Sequence, residues 1–142
     1  MKKWITILSL LTMTSTACLA TADGMTEREI LTDRINFIYA TANTLNLSIK
    51  GGKQVSYSCL FVGGLMASVM ELRANPAHID RSERELVATI KSALPTMDEV
   101  TPFCDTVKTT SKDEVAKSEA KVVKSADSIM AAASELLARL EK

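Results

Sequence analysis

The stretch SKDEVAKSEAKVVKSADSIMAAASELLARLEK, residues 111–142, decides the fold class of this chain. It contains no glycine or proline, and Ser111 and Glu114 have the three-residue spacing of a capping box at a helix start. Apolar residues then repeat every seven positions in two adjacent stripes: Val115, Val122, Ile129 and Leu136, and Ala116, Val123, Met130 and Leu137. The pattern predicts one helix of about 30 residues and about 45 Å. Because it exceeds the other predicted helices in length, we expect its far end either to project from the bundle or to pair with a second copy as a homodimer.

Helical periodicity continues towards the N-terminus. Thr26 and Glu29 form a capping box, and the glycine pair at 51–52 ends the helix that follows. A further helix is predicted to begin near Asp80 to Ser82, where Ser82 and Glu85 have the same capping-box spacing. The first helix carries a clear apolar stripe: Leu31, Ile35, Ile38, Ala42, Leu45 and Ile49. The later one carries another: Leu86, Val87, Ile90, Ala93 and Leu94.

A short helix is predicted from Thr101 as N-cap and Pro102 at the first helical position. It carries Phe103 and Cys104. No segment shows the alternation of a strand. The sequence therefore predicts an all-α fold, a small bundle of four to five helices with a long C-terminal helix.

The second helix, from about residue 55 to 73, has no charged residue between Lys53 and Glu71. A helix that is apolar on all sides is typical of the centre of a bundle, which is the position we expect. The alternative is a membrane span, for which the segment is at the lower length limit and is diluted by polar residues. Small residues at Gly63, Gly64, Ala67 and Ser68 predict close packing of another helix, and the alternative is room for a ligand.

The N-terminus has the pattern of an export signal. Lysines at positions 2–3 precede the apolar stretch WITILSLLTM at 4–13, and Ala20 and Ala22 form an A-x-A cleavage pattern before Asp23. We predict a signal peptide over residues 1–22 and a single helical domain over residues 23–142. Without the two lysines the mature domain has 15 basic and 17 acidic residues. This balance, without a basic patch, argues against a nucleic-acid partner.

Lipidation at Cys18 is the alternative to cleavage after Ala22. Thr16 and Ala17, the two residues before Cys18, fit the pattern of a lipobox, whereas Ser15 stands where such a motif has an aliphatic residue. Both alternatives predict export, to the periplasm or the medium in one case and to the outer membrane in the other. The mass of the mature N-terminus distinguishes them.

The two remaining cysteines, Cys59 and Cys104, are predicted to form an intramolecular disulfide, as is usual in an exported chain. An intermolecular bridge and a redox-active thiol are the alternatives, and no C-x-x-C pair supports redox chemistry. In the chain-entropy account, closing this loop stabilises the fold by about 4 kcal/mol.

No motif predicts catalysis, a cofactor or a metal. His78 is the only histidine, and there is no Gly-rich phosphate loop, C-x-x-C-H or G-x-S-x-G sequence. Acidic residues cluster in the sequence around Cys104. They are typical of helix starts, where they interact with the helix dipole, and the alternatives are a calcium site or a surface for a basic partner. These residues are Asp98, Glu99, Asp105, Asp113 and Glu114. The outer face of the last helix carries Lys117, Lys121 and Lys124. This face is either simply solvated or a surface that binds an acidic partner.

Two groups of exported proteins are similar to parts of the chain. The stretch from Cys59 to Lys124 resembles small periplasmic acid-stress chaperones, although the long apolar-striped last helix departs from them. The segments 59–64 and 85–104 resemble exported immunity proteins that neutralise toxins, with a different spacing. Neither resemblance transfers residue roles.

The sequence therefore favours an exported, non-enzymatic protein that acts by binding another protein, of an inhibitor or immunity type. The alternatives are a periplasmic acid or stress chaperone and, if Cys18 is acylated, a lipid-anchored assembly factor.

Overall fold

The computed structural model describes residues 25–52, 55–73, 77–105 and 109–142. Five helices follow one another along these residues, and no strand occurs among them. They are α1 (Glu27–Lys50), α2 (Val55–Met70), α3 (Arg81–Ser92), α4 (Met97–Cys104) and α5 (Lys112–Leu140). The predicted all-α bundle with a long last helix is confirmed. The predictions at Cys18, Ala20, Ala22 and Asp23 lie outside the described residues.

The centre of the bundle is the interface between α1 and α5, the most extensive in the fold. α3 and α4 pack against α5, and α2 packs mainly against α1. Every residue of the predicted α1 stripe is buried, from Leu31 to Ile49. Val122, Ile129 and Leu136 of the seven-residue repeat in α5 are buried as predicted, together with Ala126, Ala133 and Leu140. The core is therefore built where the periodicity placed it, except at the start of α5, where Val115 is half-buried and Ala116 is exposed.

The far end of α5 does not project from the bundle, because Arg28 of α1 holds it. The Arg28 guanidinium donates to the carbonyls of Arg139 at 3.2 Å and Leu140 at 3.3 Å in the last turn of α5, where helix carbonyls have few partners within the helix. It also forms an ion pair with Glu83 of α3, with an Nη2–Oε1 distance of 3.0 Å. Glu83 is only 3% exposed. One arginine thus connects three helices at this end of the molecule.

Replacing Arg28 with alanine is expected to lower the free energy of unfolding by about 2–3 kcal/mol, because Glu83 loses its charged partner while remaining buried. Arg81→Ala is the matched control. Arg81 makes an exposed pair with Glu85 four residues away, and its loss is expected to cost less than about 0.5 kcal/mol. Urea denaturation of both variants measures the difference. Equal losses would contradict the role assigned to Arg28.

The starts of two helices differ in part from the sequence prediction. α3 begins within the predicted range of Asp80 to Ser82, but its capping box joins Asp80 and Glu83 rather than Ser82 and Glu85. The Asp80 carboxylate accepts from the Glu83 N–H at 2.8 Å, and the Ser82 hydroxyl donates to Asp80 at 2.7 Å. This start also places Glu83 beside Arg28, and the ion pair between them favours capping by Asp80 over capping by Ser82.

α4 begins at Met97 with Thr96 as its N-cap, so Pro102 lies inside the helix and not at its first position. A Ser118 hydroxyl from α5 enters α4 near this proline. It donates to the Glu99 carbonyl and accepts from the Phe103 N–H at 3.0 Å. Ser118 therefore satisfies the backbone groups that would otherwise bond each other in the α4 turn, and it ties α4 to α5.

Carboxylates at four helix starts make the fold sensitive to acid. Hydrogen bonds from the backbone N–H of Thr26 and of Thr96 lower the pKa of Glu29 and Glu99. The Glu83 N–H does the same for the pKa of Asp80, and the Ser111 hydroxyl for the pKa of Glu114. A group whose pKa is lower in the folded state stabilises the fold above its unfolded pKa, and the contribution is lost as pH falls through the folded value.

We therefore expect the thermal unfolding midpoint to be nearly constant from neutral pH down to about pH 5 and to fall below about pH 4.5, near the ordinary pKa of these groups. Far-UV circular dichroism at a series of pH values measures this. Replacing Glu29 and Glu114 with glutamine should flatten the acid limb of the profile. An unchanged slope in that variant would show that other carboxylates cause the loss.

Candidate functional site

The position of α2 differs from the sequence prediction and creates an exposed apolar surface. One side of the helix is buried against the bundle, through Ser58, Val62, Leu65 and Val69. The opposite side faces solvent, with Leu60 75% and Met70 72% exposed. The expectation that this helix occupies the centre of the bundle is therefore wrong. α2 lies at the edge, and α1 and α5 form the centre.

We define the α2 face as the outward residues of this helix: Leu60, Gly63, Gly64, Ala67 and Met70. Their spacing places them on one side of a helix, and the entire α2 sequence VSYSCLFVGGLMASVM contains no charged residue. A Cβ added to Gly63 or Gly64 would meet no atom within 4 Å. The prediction that the small residues receive another helix of this chain is therefore wrong for the part of the chain that the structure describes.

Phe37 of α1 extends this apolar surface across the groove between the two helices. Its side chain is 60% exposed, and it lines a depression of about 350 Å³ together with Asp33, Arg34, Ser68 and Glu71. The Arg34 guanidinium donates to the Glu71 carbonyl at 3.3 Å, which fixes the end of α2 against α1. The groove beside the α2 face is thus apolar along Phe37 and charged at one end.

The disulfide predicted between Cys59 and Cys104 is present and holds α2 from the other side. It joins α2 to the last residue of α4, with a Cα–Cα distance of 5.7 Å. A buried hydroxyl pair between Ser48 of α1 and Ser58 of α2, 2.8 Å apart, adds a second fixed point. Ser58 and Cys59 thus fix the start of α2, and the Arg34 hydrogen bond to the Glu71 carbonyl fixes its end, so the outer face is presented on a rigid element.

The predicted lysine surface on α5 is not a uniformly cationic patch. Lys121 pairs with Glu99 of α4, with an Nζ–Oε1 distance of 3.2 Å. Lys117 and Lys121 line a small depression of about 160 Å³ whose other charged residues are acidic: Asp98, Glu99 and Glu114. Lys124 is exposed farther along the helix. The neighbouring carboxylates neutralise the lysines, so this surface is a weak candidate for an acidic partner.

The acidic residues around Cys104 do not converge on a metal site among the described residues. Within the described ranges, no three side chains among His, Cys, Asp and Glu lie close enough together to hold a metal ion. The Asp105 carboxylate instead accepts hydrogen bonds from Thr109 and Thr110. His78 is exposed, with its Nε2 3.7 Å from the Glu27 carboxylate. Three of the acidic residues border the depression beside Lys117 and Lys121, but the described residues form no common metal site.

No helix in the described part of the chain is long and apolar enough to cross a membrane.

Comparison with known protein families, with curated protein sequences and with solved structures finds no match for this chain. The α2 face is therefore identified as the candidate site from its geometry alone. It is a surface and not a catalytic pocket, since its exposed side chains carry no nucleophile, acid or base.

Proposed function

We propose that this chain is an exported protein of the periplasm or the medium that acts by binding another protein through the α2 face. One observation carries the proposal. The outward side of a disulfide-held helix leaves Leu60 and Met70 about three-quarters exposed, and the helix has no charged residue along its length. Contiguous exposed apolar surface on a soluble domain marks an interaction site more often than it serves the fold.

The energetics favour a bound state for this surface. Burying a large aliphatic side chain contributes about 1.5–3 kcal/mol, so Leu60 and Met70 together, with Phe37 beside them, provide a compact anchor. The rigid backbone of α2 reduces the entropy lost on binding. An inhibitor or immunity-type protein requires this combination of a preorganised surface and a small apolar centre.

The predicted partner surface on α5 is less suitable. Its lysines are neutralised by Glu99 and its neighbours, and its apolar stripe is buried against the other helices. A homodimer through the C-terminal helix would have to use the outer, polar side of α5. We therefore place the contact on α2.

The test is affinity capture from periplasmic extract with immobilised mature protein, residues 23–142. Leu60→Glu introduces a charge into the α2 face at an exposed position and should leave the fold intact. Leu47→Glu is the matched control, because Leu47 is 63% exposed on α1 and lies outside the α2 face. We expect a stoichiometric partner that wild type and Leu47→Glu retain and that Leu60→Glu binds at least tenfold more weakly.

Two results would contradict the proposal. If Leu60→Glu captures the same partner as well as wild type does, the α2 face is not the contact. If wild type, tested over a range of salt and pH, neither captures a partner nor associates with itself, then binding is not the function.

The stress-chaperone function is a second candidate because the four capping carboxylates lose their stabilising contribution in acid. It requires loss of tertiary packing at low pH and suppression of client aggregation there. Near-UV circular dichroism reports the packing, and a spectrum that stays unchanged to about pH 2 excludes this candidate.

A further inference from the structure

We propose that the α2 face is covered in solution by the α2 face of a second copy of this chain, with the two helices antiparallel across a two-fold axis near Leu65. This inference names the partner at the surface described above and therefore rests on the proposed function. Three properties of the face support it: the order of its side-chain sizes, its lack of charge and the extent of the exposed apolar surface.

Four of the five residues of the α2 face are placed symmetrically about position 65. Leu60 and Met70 lie five residues to either side, and Gly63 and Ala67 lie two residues to either side. In a two-fold contact, residue i of one copy meets residue j of the other, and j meets i. Antiparallel α2 helices crossing at position 65 place Leu60 against the partner's Met70 and Gly63 against the partner's Ala67. Small residues meet at the crossing, and large residues close both ends.

The charge distribution also suits self-association. Residues that lie near a two-fold axis lie close to their own copies, so a charged side chain there would repel itself. α2 has no charge along its length, with no acidic residue in its first turn and no basic residue in its last turn. Its helix dipole is therefore uncompensated by its own side chains. Antiparallel pairing places the positive N-terminus of each helix beside the negative C-terminus of the other.

The exposed apolar side chains bear on the expected strength of the dimer. A stable interface buries about 800 Å² on each partner, and the largest apolar patch of an ordinary monomer covers about 300–600 Å². Leu60, Met70 and the small residues between them form the centre of such a contact. Phe37 and Tyr57, which are 60% and 43% exposed, extend its edges. Because few large side chains lie at its centre, we expect the dimer to have a dissociation constant on the order of micromolar.

The test is sedimentation equilibrium of the mature protein, residues 23–142, from about 1 to 200 μM. We expect a monomer–dimer equilibrium in wild type and in the control L47E. L60E and M70K should each weaken the dimer at least tenfold. The double variant L60E/M70K should recover much of the association, because the antiparallel register places each new carboxylate opposite a new ammonium of the other copy.

The variant Gly64→Leu distinguishes an effect on folding from an effect on association. It should raise the thermal midpoint of the monomer, since leucine favours helix and Gly64 faces open space. It should also weaken the dimer.

The outcomes separate this inference from the proposed function. A wild type that stays monomeric at 200 μM overturns the dimer. If that monomer still captures a different protein and L60E loses it, the proposed function remains and its partner is heterologous. A dimer that L60E and M70K leave unchanged uses another surface and also overturns the inference. A dimer that both single variants weaken but the double variant does not restore contradicts the antiparallel register.

Discussion

Replacing Cys59 and Cys104 with alanine is expected to lower the free energy of unfolding by about 4 kcal/mol. The disulfide closes a sequence separation of 45 residues, which includes α3 and most of α2 and α4. Without it, the unfolded chain regains the freedom of that whole loop. Such a loss is a large share of the roughly 5–15 kcal/mol that stabilises an ordinary domain. Urea denaturation of the oxidised wild type and of the double variant measures the difference.

Reduction provides the control for this prediction. Wild type in excess reductant should unfold at nearly the same urea concentration as the double variant, and reductant should not change the double variant further. Amide hydrogen exchange should locate the effect. α2 has fewer neighbours than α1 or α5, so its protection should fall most when the disulfide is removed. Equal midpoints for oxidised and reduced wild type would contradict a structural role.

The central helices were predictable because their sequences contrast strongly from one side to the other. In α1, apolar residues at Leu31, Ile35 and Ile38 alternate with charged or polar residues such as Asp33, Arg34 and Asn36. The same contrast in α5 fixes which side of the helix is buried. The cysteines were predictable for a different reason: the predicted signal peptide contains Cys18, and the two cysteines outside it have one intramolecular pairing.

The helix starts were predictable only in part. Several residues near a start can cap it, and tertiary contacts select among them. Asp80 and Ser82 both have a glutamate three residues later, and the burial of Glu83 beside Arg28 selects Asp80. Likewise, the sequence offers both Thr96 and Thr101 before a helical segment. The Ser118 hydroxyl, which accommodates Pro102 inside α4, comes from a residue far along the chain.

The α2 face was the feature that sequence reasoning missed. Periodicity identifies a buried side only when polar residues mark the other side, and α2 contains no charged residue to provide that contrast. Uniform apolarity therefore suggested burial on all sides. The two glycines were the available signal, since glycine in the middle of a helix costs stability and suggests a role other than packing in the core. They were interpreted as an internal contact instead.

Leu65 and Leu60 offer the most direct test of how α2 is oriented, because the same substitution should have very different effects at the two positions. Leu65→Ala is expected to lower the free energy of unfolding by about 2–5 kcal/mol, since Leu65 is 2% exposed and its truncation leaves a cavity against α1. Leu60→Ala is expected to change it by less than about 0.5 kcal/mol, since Leu60 is 75% exposed. Both are measured by urea denaturation at submicromolar protein, where the monomer predominates.

The comparison distinguishes the observed orientation from the alternatives that the sequence left open. If α2 were surrounded by the bundle, both substitutions would remove buried methyl groups and both would cost several kcal/mol. If the helix were rotated by half a turn, the costs would be exchanged. Only an edge position with Leu65 inward gives a large loss at one site and almost none at the other. At high protein concentration, Leu60→Ala should then become destabilising as well, because the α2 face of a second copy would cover Leu60 in the dimer.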